Sequence, residues 1–273
     1  MLGSTNAITP KGYDVFREYL EKVCGIMLSD NKQYLVASRL GKILERENIA
    51  KLEDLVVLLS RGGKSALKEE VINAMTTNET LWFRDAHPFN ILKSKILPEK
   101  GNKSLRIWSA ASSTGQEPYS ISITLEEFRS GSSIAADKII ATDICTNILA
   151  HAKQAEYDHL AIARGLSDSM QKNYFDKLEN GSWKIKPNIR NRVDFKYLNL
   201  IDSYASLGKF DVIFCRNVLI YFSAELKLDI LTRMHKVLNP GGYLFLGGSE
   251  ALSGLSSMYD IIQCHPGIVY QAK

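Results

Sequence analysis

Between Thr9 and Met75 apolar residues recur at intervals of three and four, the spacing that gathers side chains on one face of a helix. The runs break at Gly25, at Asn48 to Lys51, and at Gly62 and Gly63. This pattern predicts a small all-helical domain. Thr9 before Pro10 marks a helix start, because a hydroxyl accepts a free first-turn amide and proline at the first helical position wastes no donor. Ser29 and Asp30 are the candidate caps of the next helix.

After residue 100 the pattern changes. Short β-rich runs, LRIWSA, KIIATDI, FDVIFCR and GYLFLGG, alternate with helical stretches, which predicts an α/β fold with a doubly wound, mostly parallel sheet. The last segment, MYDIIQCHPGIVYQAK, reads as two strands around a His-Pro-Gly turn. Between the helix near Ala150 and the strand VDFKYLNL lies a segment of about forty residues, longer than a plain crossover requires. Its Asn180-Gly181 pair has the chemistry of a hairpin turn. A small antiparallel β-subdomain, inserted at about 158–198, is therefore expected. The resulting organisation is a helical domain over 1–76, a linker over 77–98 and an α/β domain over 99–273.

The chain of 273 residues, 45% hydrophobic and 23% charged, is long enough for one large α/β domain and a small partner. Its longest apolar runs, such as Leu55 to Leu59 and Val218 to Phe222, fall far short of the roughly 18 residues a membrane span needs. The first twenty residues lack the apolar core of a signal peptide, so a cytoplasmic location without membrane insertion is expected. Cys24, Cys145, Cys215 and Cys264 are widely separated, with no histidine at metal-ligand spacing, and read as reduced, mostly buried thiols with no metal site. A net charge of +4 leans mildly towards an acidic partner.

The stretch WSAASSTGQEPYS, Trp108 to Ser120, has the form of a strand, a tight loop and a helix start, yet holds a single glycine, Gly115. Dinucleotide folds use several glycines so that amides can approach a pyrophosphate. S-adenosylmethionine carries no phosphate, so one close approach at Gly115 suffices, with Glu117 placed for the ammonium of its methionine part. Asp143, at the end of the second strand, stands where an acidic side chain of this topology accepts bonds from ribose hydroxyls; it could equally cap the following helix. RGGKS, Arg61 to Ser65, is no phosphate loop, because Leu58 stands where the motif needs glycine and helices flank it on both sides.

NETLWFRD, Asn78 to Asp85, sits at the junction of the two domains. Together with WSAASSTGQEPYS, ATDI, LNL and FCRNVLIYF, in this order, it resembles the bacterial chemotaxis receptor methyltransferases, the CheR family, over nearly the whole chain. The resemblance implies a Rossmann-like S-adenosylmethionine-dependent methyltransferase that methylates glutamate side chains on chemoreceptor cytoplasmic helices, releasing S-adenosylhomocysteine. It implies that Asn78, Thr80 and Arg84 touch the cofactor from the linker, and that Glu117 and Asp143 hold its methionine and ribose parts. Asn199 and Leu200 would face the adenine, Arg216 and Asn217 would close the site, and Tyr221 would stand near the incoming glutamate. Arg84 and Tyr221 are the candidate orienting groups. A carboxylate is ionised at neutral pH and needs no general base.

Lys32, Arg39, Lys42 and Arg46 fall on one stripe at about 100° per residue. Such a stripe is ordinarily only solvated, but the resemblance makes it the docking face for an acidic receptor helix. Set against the longer loop of peptide-binding members of the family it resembles, the short turn at Asn180-Gly181 implies docking without help from a receptor C-terminal peptide; a monomer that docks transiently is expected. Two alternatives stay open: a nucleic-acid methyltransferase, opposed by RNVLIYF where an Asn-Pro-Pro-Tyr loop would stand, and a non-catalytic cofactor-sensing module.

Overall fold

The computed structural model describes residues 8–62, 64–129, 137–252 and 254–273; Gly63, expected as part of a helix break, lies outside them. Helices α1 (Pro10–Cys24), α2 (Gln33–Arg46), α3 (Leu52–Ser60) and α4 (Ser65–Met75) bury one face each in a shared core. In α1 that face is Tyr13, Phe16, Leu20 and Cys24, the three-to-four spacing visible in the sequence. Thr9 caps α1 by accepting from the Gly12 amide at 3.0 Å. The cap expected at Ser29 or Asp30 is absent. Lys32 precedes α2 with no side-chain cap, while Asp30 pairs with Arg17 and the Ser29 carbonyl takes the Tyr13 hydroxyl. The Asp30 carboxylate and the Ser29 backbone are thus tied to α1, leaving α2 to depend on its buried face, Val36, Leu40, Ile43 and Leu44.

A bend leads into α5 (His87–Ile91), a π-helical stretch over Leu92–Ile96 and α6 (Leu97–Lys100). The α/β unit follows: β1 (Arg106–Ala110), α7 (Gln116–Arg129), β2 (Lys138–Asp143) and α8 (Thr146–Gln154). The chain then departs through β3 (Glu156–Tyr157), α9 (His159–Ala163), α10 (Asp168–Tyr174), β4 (Phe175–Lys177), β5 (Trp183–Ile185) and α11 (Pro187–Arg190). It returns with β6 (Val193–Tyr197), β7 (Phe210–Cys215), α12 (Ala224–Val237), β8 (Leu238–Leu246), β9 (Tyr259–Gln263) and β10 (Ile268–Ala272).

The main sheet has seven strands in the order β6-β2-β1-β7-β8-β10-β9. β6, β2, β1, β7 and β8 run parallel, and β10 is antiparallel to both its neighbours. Strands buried on both faces explain the continuous apolar runs: Ile107, Ile139 and Val212 enter one core, Trp108, Ile140 and Ile213 the other. The Asn239–Gly242 stretch, whose Pro-Gly-Gly run has the chemistry of a helix stop, lies within β8. A register jump absorbs it, with Phe210 opposite Leu238 and Val212 opposite Tyr243.

The inserted sheet is antiparallel, ordered β3-β5-β4. The hairpin closes at Asn180-Gly181, where the Leu178 amide donates to the Ser182 carbonyl at 2.8 Å and Gly181 takes φ 84°. The insertion is shorter than 158–198. It begins at Glu156, and Val193–Tyr197 pairs with β2 in the main sheet. The insert clasps the linker: Trp82, fully buried, meets Tyr157 and Phe175 edge-on at 5.0 and 5.2 Å.

Candidate functional site

The strand order reverses between β1 and β7, and in open α/β sheets a crevice forms outside the carboxyl ends of the strands at such a point. A cleft partly open to solvent lies there. Four wall segments follow strand ends: Ala111 to Ser113 after β1, Asp143 and Ile144 at β2, Leu198 to Leu200 after β6, and Arg216 to Val218 after β7. The linker adds Thr76 to Thr80 and Arg84, and the helical domain adds Cys24, Ile26 and Met75. Burial lifts the Cys24 pKa to about 11, so this wall presents a thiol rather than a charge.

The loop after β1 makes its close approach without glycine. Ala111 and Ser113 take positive φ of 56° and 50°, and small side chains let this strained backbone border the cleft. Gly115 has a different role from the one expected. It does not line the cleft; at φ +95° it faces Tyr157, whose hydroxyl would stand 3.0 Å from any Cβ placed there. That hydroxyl donates to the Thr114 carbonyl at 2.7 Å. Gly115 thus lets the insert pack under the loop, while Ala111, Ser112 and Ser113 do the lining. The run of small residues between Ala110 and Ser113 was the available signal.

Arg216 is the electrostatic hub. Its side chain, 1% exposed, donates to Glu117 Oε2 at 3.0 Å, to Asp85 Oδ2 at 2.6 Å and to the Arg84 carbonyl at 2.9 Å. The last two bonds hold a linker bend in which Phe83, Asp85 and Ala86 all have positive φ. Glu117 also accepts from Ser109 at 2.8 Å; burial pushes its carboxyl pKa up, and the Arg216 guanidinium offsets part of that rise. Asp143 is buried as well and accepts from the amides of Ser113 at 2.8 Å and Cys145 at 2.9 Å. Burial pushes its pKa up against those amide bonds. Asp143 thus borders the cleft and also ties the β1 loop to Cys145, the residue before α8.

Asn78, Thr80, Arg84, Leu200, Asn217 and Tyr221 all border the cleft. Asn199 does too, but its amide nitrogen donates to the Val23 carbonyl at 2.8 Å and so bridges to the helical domain. None of the basic stripe borders the cleft, and its two arginines are committed. Arg39 donates to the Met75 and Thr76 carbonyls at 2.7 and 3.0 Å and to Thr77 Oγ1 at 3.0 Å. Arg46 pairs with Glu70 and Glu47. Among the described residues Lys32 and Lys42 have no acidic partner, Lys32 lying over the Tyr34 ring.

Two buried polar atoms bordering the cleft, Ser112 Oγ and Arg216 Nε, have no hydrogen-bond partner among the described residues. With Glu117 and Asp143 they form a donor and acceptor set suited to an amino acid and a ribose. These residues fit S-adenosylmethionine. Contributions from Cys24, Ile26 and Met75 were missed, since nothing local in the sequence brings the end of α1 to a distant sheet.

Two family models cover the chain: CheR methyltransferase, all-alpha domain, over residues 11–76, and CheR methyltransferase, SAM binding domain, over 78–268. Chemotaxis protein methyltransferase Cher2 of Pseudomonas putida is 55% identical over 268 residues, covering 96% of this chain and 98% of the relative. Chemotaxis protein methyltransferase 1 of Pseudomonas aeruginosa is 56% identical over 270 residues, covering 96% and 97%. The Salmonella typhimurium chemotaxis protein methyltransferase is 38% identical over 235 residues, covering 85% and 80%. With its cleft, its domain order and these matches, the chain belongs to the CheR methyltransferase family and binds S-adenosylmethionine.

Proposed function

We propose that this enzyme transfers a methyl group from S-adenosylmethionine to glutamate side chains on the cytoplasmic helices of chemoreceptors, forming methyl esters that serve chemotactic adaptation. The observation that carries this reading is the cleft itself, which joins two buried carboxylates, a buried arginine hub and a tyrosine at the rim in a chain of this family. When bound, S-adenosylmethionine supplies an electrophilic sulfonium methyl.

In this reading Glu117 accepts from the donor's ammonium and Asp143 from its ribose hydroxyls, while Asn78 and Thr80 close over it from the linker. Leu200 and the backbone of Asn199 pack against the adenine. Arg84 and Tyr221 orient the incoming carboxylate, which is already ionised near neutral pH. The chain's task is then alignment and exclusion of water rather than proton transfer. Lys42 and Lys32, the cations of the stripe without acidic partners among the described residues, steer an acidic helix towards the rim. The tight Asn180-Gly181 turn supports docking that is independent of a receptor C-terminal peptide; the enzyme acts as a monomer in the cytoplasm.

Incubation with methyl-labelled donor and a chemoreceptor cytoplasmic fragment tests the reading. Label on the receptor that mild base releases as methanol is expected. Label on nucleic acid instead, or donor binding without transfer to any acceptor, would overturn it.

A further inference from the structure

Beyond the cleft wall a single carboxylate organises the loop that carries Asn217 and Tyr221. Glu250 follows β8, and its Oε2 accepts from the amides of Asn217 at 2.8 Å and Gly247 at 2.7 Å. Its Oε1 accepts from Ile220 at 3.3 Å. The receiving loop needs such support. Asn217 sits at φ 57°, a region costly for a residue with a side chain, and a 3-10 turn over Leu219–Tyr221 follows at once. The first amides of such a turn lack partners within it, so a carboxylate at its start fixes both its position and its direction.

Gly247 makes the contact possible. A Cβ at that position would stand 2.7 Å from Glu250 Oε2, 2.8 Å from the Asn217 amide and 2.9 Å from Asn217 Nδ2. Asn217, Val218 and Tyr221 border the cleft, whereas Glu250 does not. Glu250 is also no partner of Arg216, whose bonds run to Glu117, Asp85 and the Arg84 carbonyl.

We propose that Glu250 is a positioning residue, which holds the Asn217–Tyr221 loop at the cleft and through it sets donor affinity and the rate of methyl transfer. The rate arm rests on the acceptor assigned above; the affinity arm needs only the cofactor.

The test uses the full chain, with S-adenosylhomocysteine titrated by calorimetry. Glu250→Ala leaves three amides without their acceptor and is expected to weaken binding about tenfold or more. Glu250→Gln keeps an oxygen for the two shorter bonds and gives up only the longer one, so affinity within about threefold of the wild type is expected. In receptor methylation Glu250→Ala should lower kcat while KM for the receptor stays near the wild-type value, a split that loss of docking would not give. Should Glu250→Ala fail to fold, Gly247→Ala disturbs the same contact from the other side and is expected to weaken binding likewise. Wild-type affinity in a folded Glu250→Ala or in Gly247→Ala would overturn the proposal, as would Glu250→Gln as damaging as Glu250→Ala. If the wild type does not methylate the receptor, the acceptor reading fails and the affinity arm still decides.

Discussion

Asp143 joins two kinds of work in one side chain, and its removal should separate them. Its carboxylate satisfies the buried amides of Ser113 and Cys145, so Asp143→Ala strands backbone donors as well as any ribose contact. Each stranded amide costs about 1–3 kcal/mol. Asp143→Ala is therefore predicted to lower the melting temperature together with the affinity for S-adenosylhomocysteine, and Asp143→Asn, which keeps one acceptor, to lower both less. Scanning calorimetry and ligand titration on the same samples check this.

Protonation acts at the same scale. Burial raises the pKa of Glu117 and of Asp143 above the ordinary 4.5 and 3.8. A cationic ligand group favours the ionised carboxylates, and that form is lost as pH falls through the raised values. Affinity for S-adenosylhomocysteine is thus predicted to decline on acidification at a pH above 4.5, with proton release on binding in that window. For the unliganded fold the sign is opposite: a raised carboxyl favours the folded state at low pH and costs stability once the unfolded chain ionises. Titrations in buffers of differing ionisation enthalpy reveal the released protons; pH-independent affinity down to 4.5 would contradict the argument.

Among the elements, the insert and the linker are fitted to each other most tightly at Gly165. It takes φ +111°, and a Cβ there would stand 2.3 Å from the Trp82 carbonyl oxygen. Gly165→Ala is predicted to cost on the order of 2–3 kcal/mol, seen as a fall in melting temperature, and to loosen the linker residues that border the cleft. The periodic patterns show which elements form because helices and buried parallel strands impose spacings of three to four and runs of apolar residues. For that reason α1, β1, β2, β7 and the hairpin at Asn180-Gly181 are legible in the sequence. Contacts that depend on three-dimensional approach are not. Arg39 looks like part of a solvent-facing stripe by spacing, yet its fork is spent on Met75, Thr76 and Thr77. Gly115 stands where a cofactor loop wants a glycine, yet it makes room for Tyr157. Asp143 was expected at the crevice because strand ends in this topology fix where a side chain points, whereas Glu117 lies in the first turn of α7 and Arg216 was singled out only by the resemblance.

Across the whole molecule, docking and cofactor binding are expected to respond to different members of the basic stripe. Lys42→Glu removes a cation with no partner among the described residues and should slow receptor methylation without changing affinity for S-adenosylhomocysteine, an effect that added salt mimics. Arg39→Glu should weaken that affinity as well, because it releases the linker beside Asn78 and Thr80. Methylation rates at varied ionic strength, set against calorimetric affinities, distinguish the two. Equal affinities in both variants would mean that the Arg39 fork does not shape the cleft.

The wall built from Cys24, Ile26 and Met75 has a consequence for how the protein survives in the cell. A ligand held between that wall and the sheet acts as a reversible cross-link, and at a concentration of one hundred times Kd it adds about 2.7 kcal/mol to the assembled state. The helical unit shares this protection only while it stays docked. Donor or its demethylated product is therefore expected to make the two units unfold together, and limited proteolysis with and without S-adenosylhomocysteine checks this.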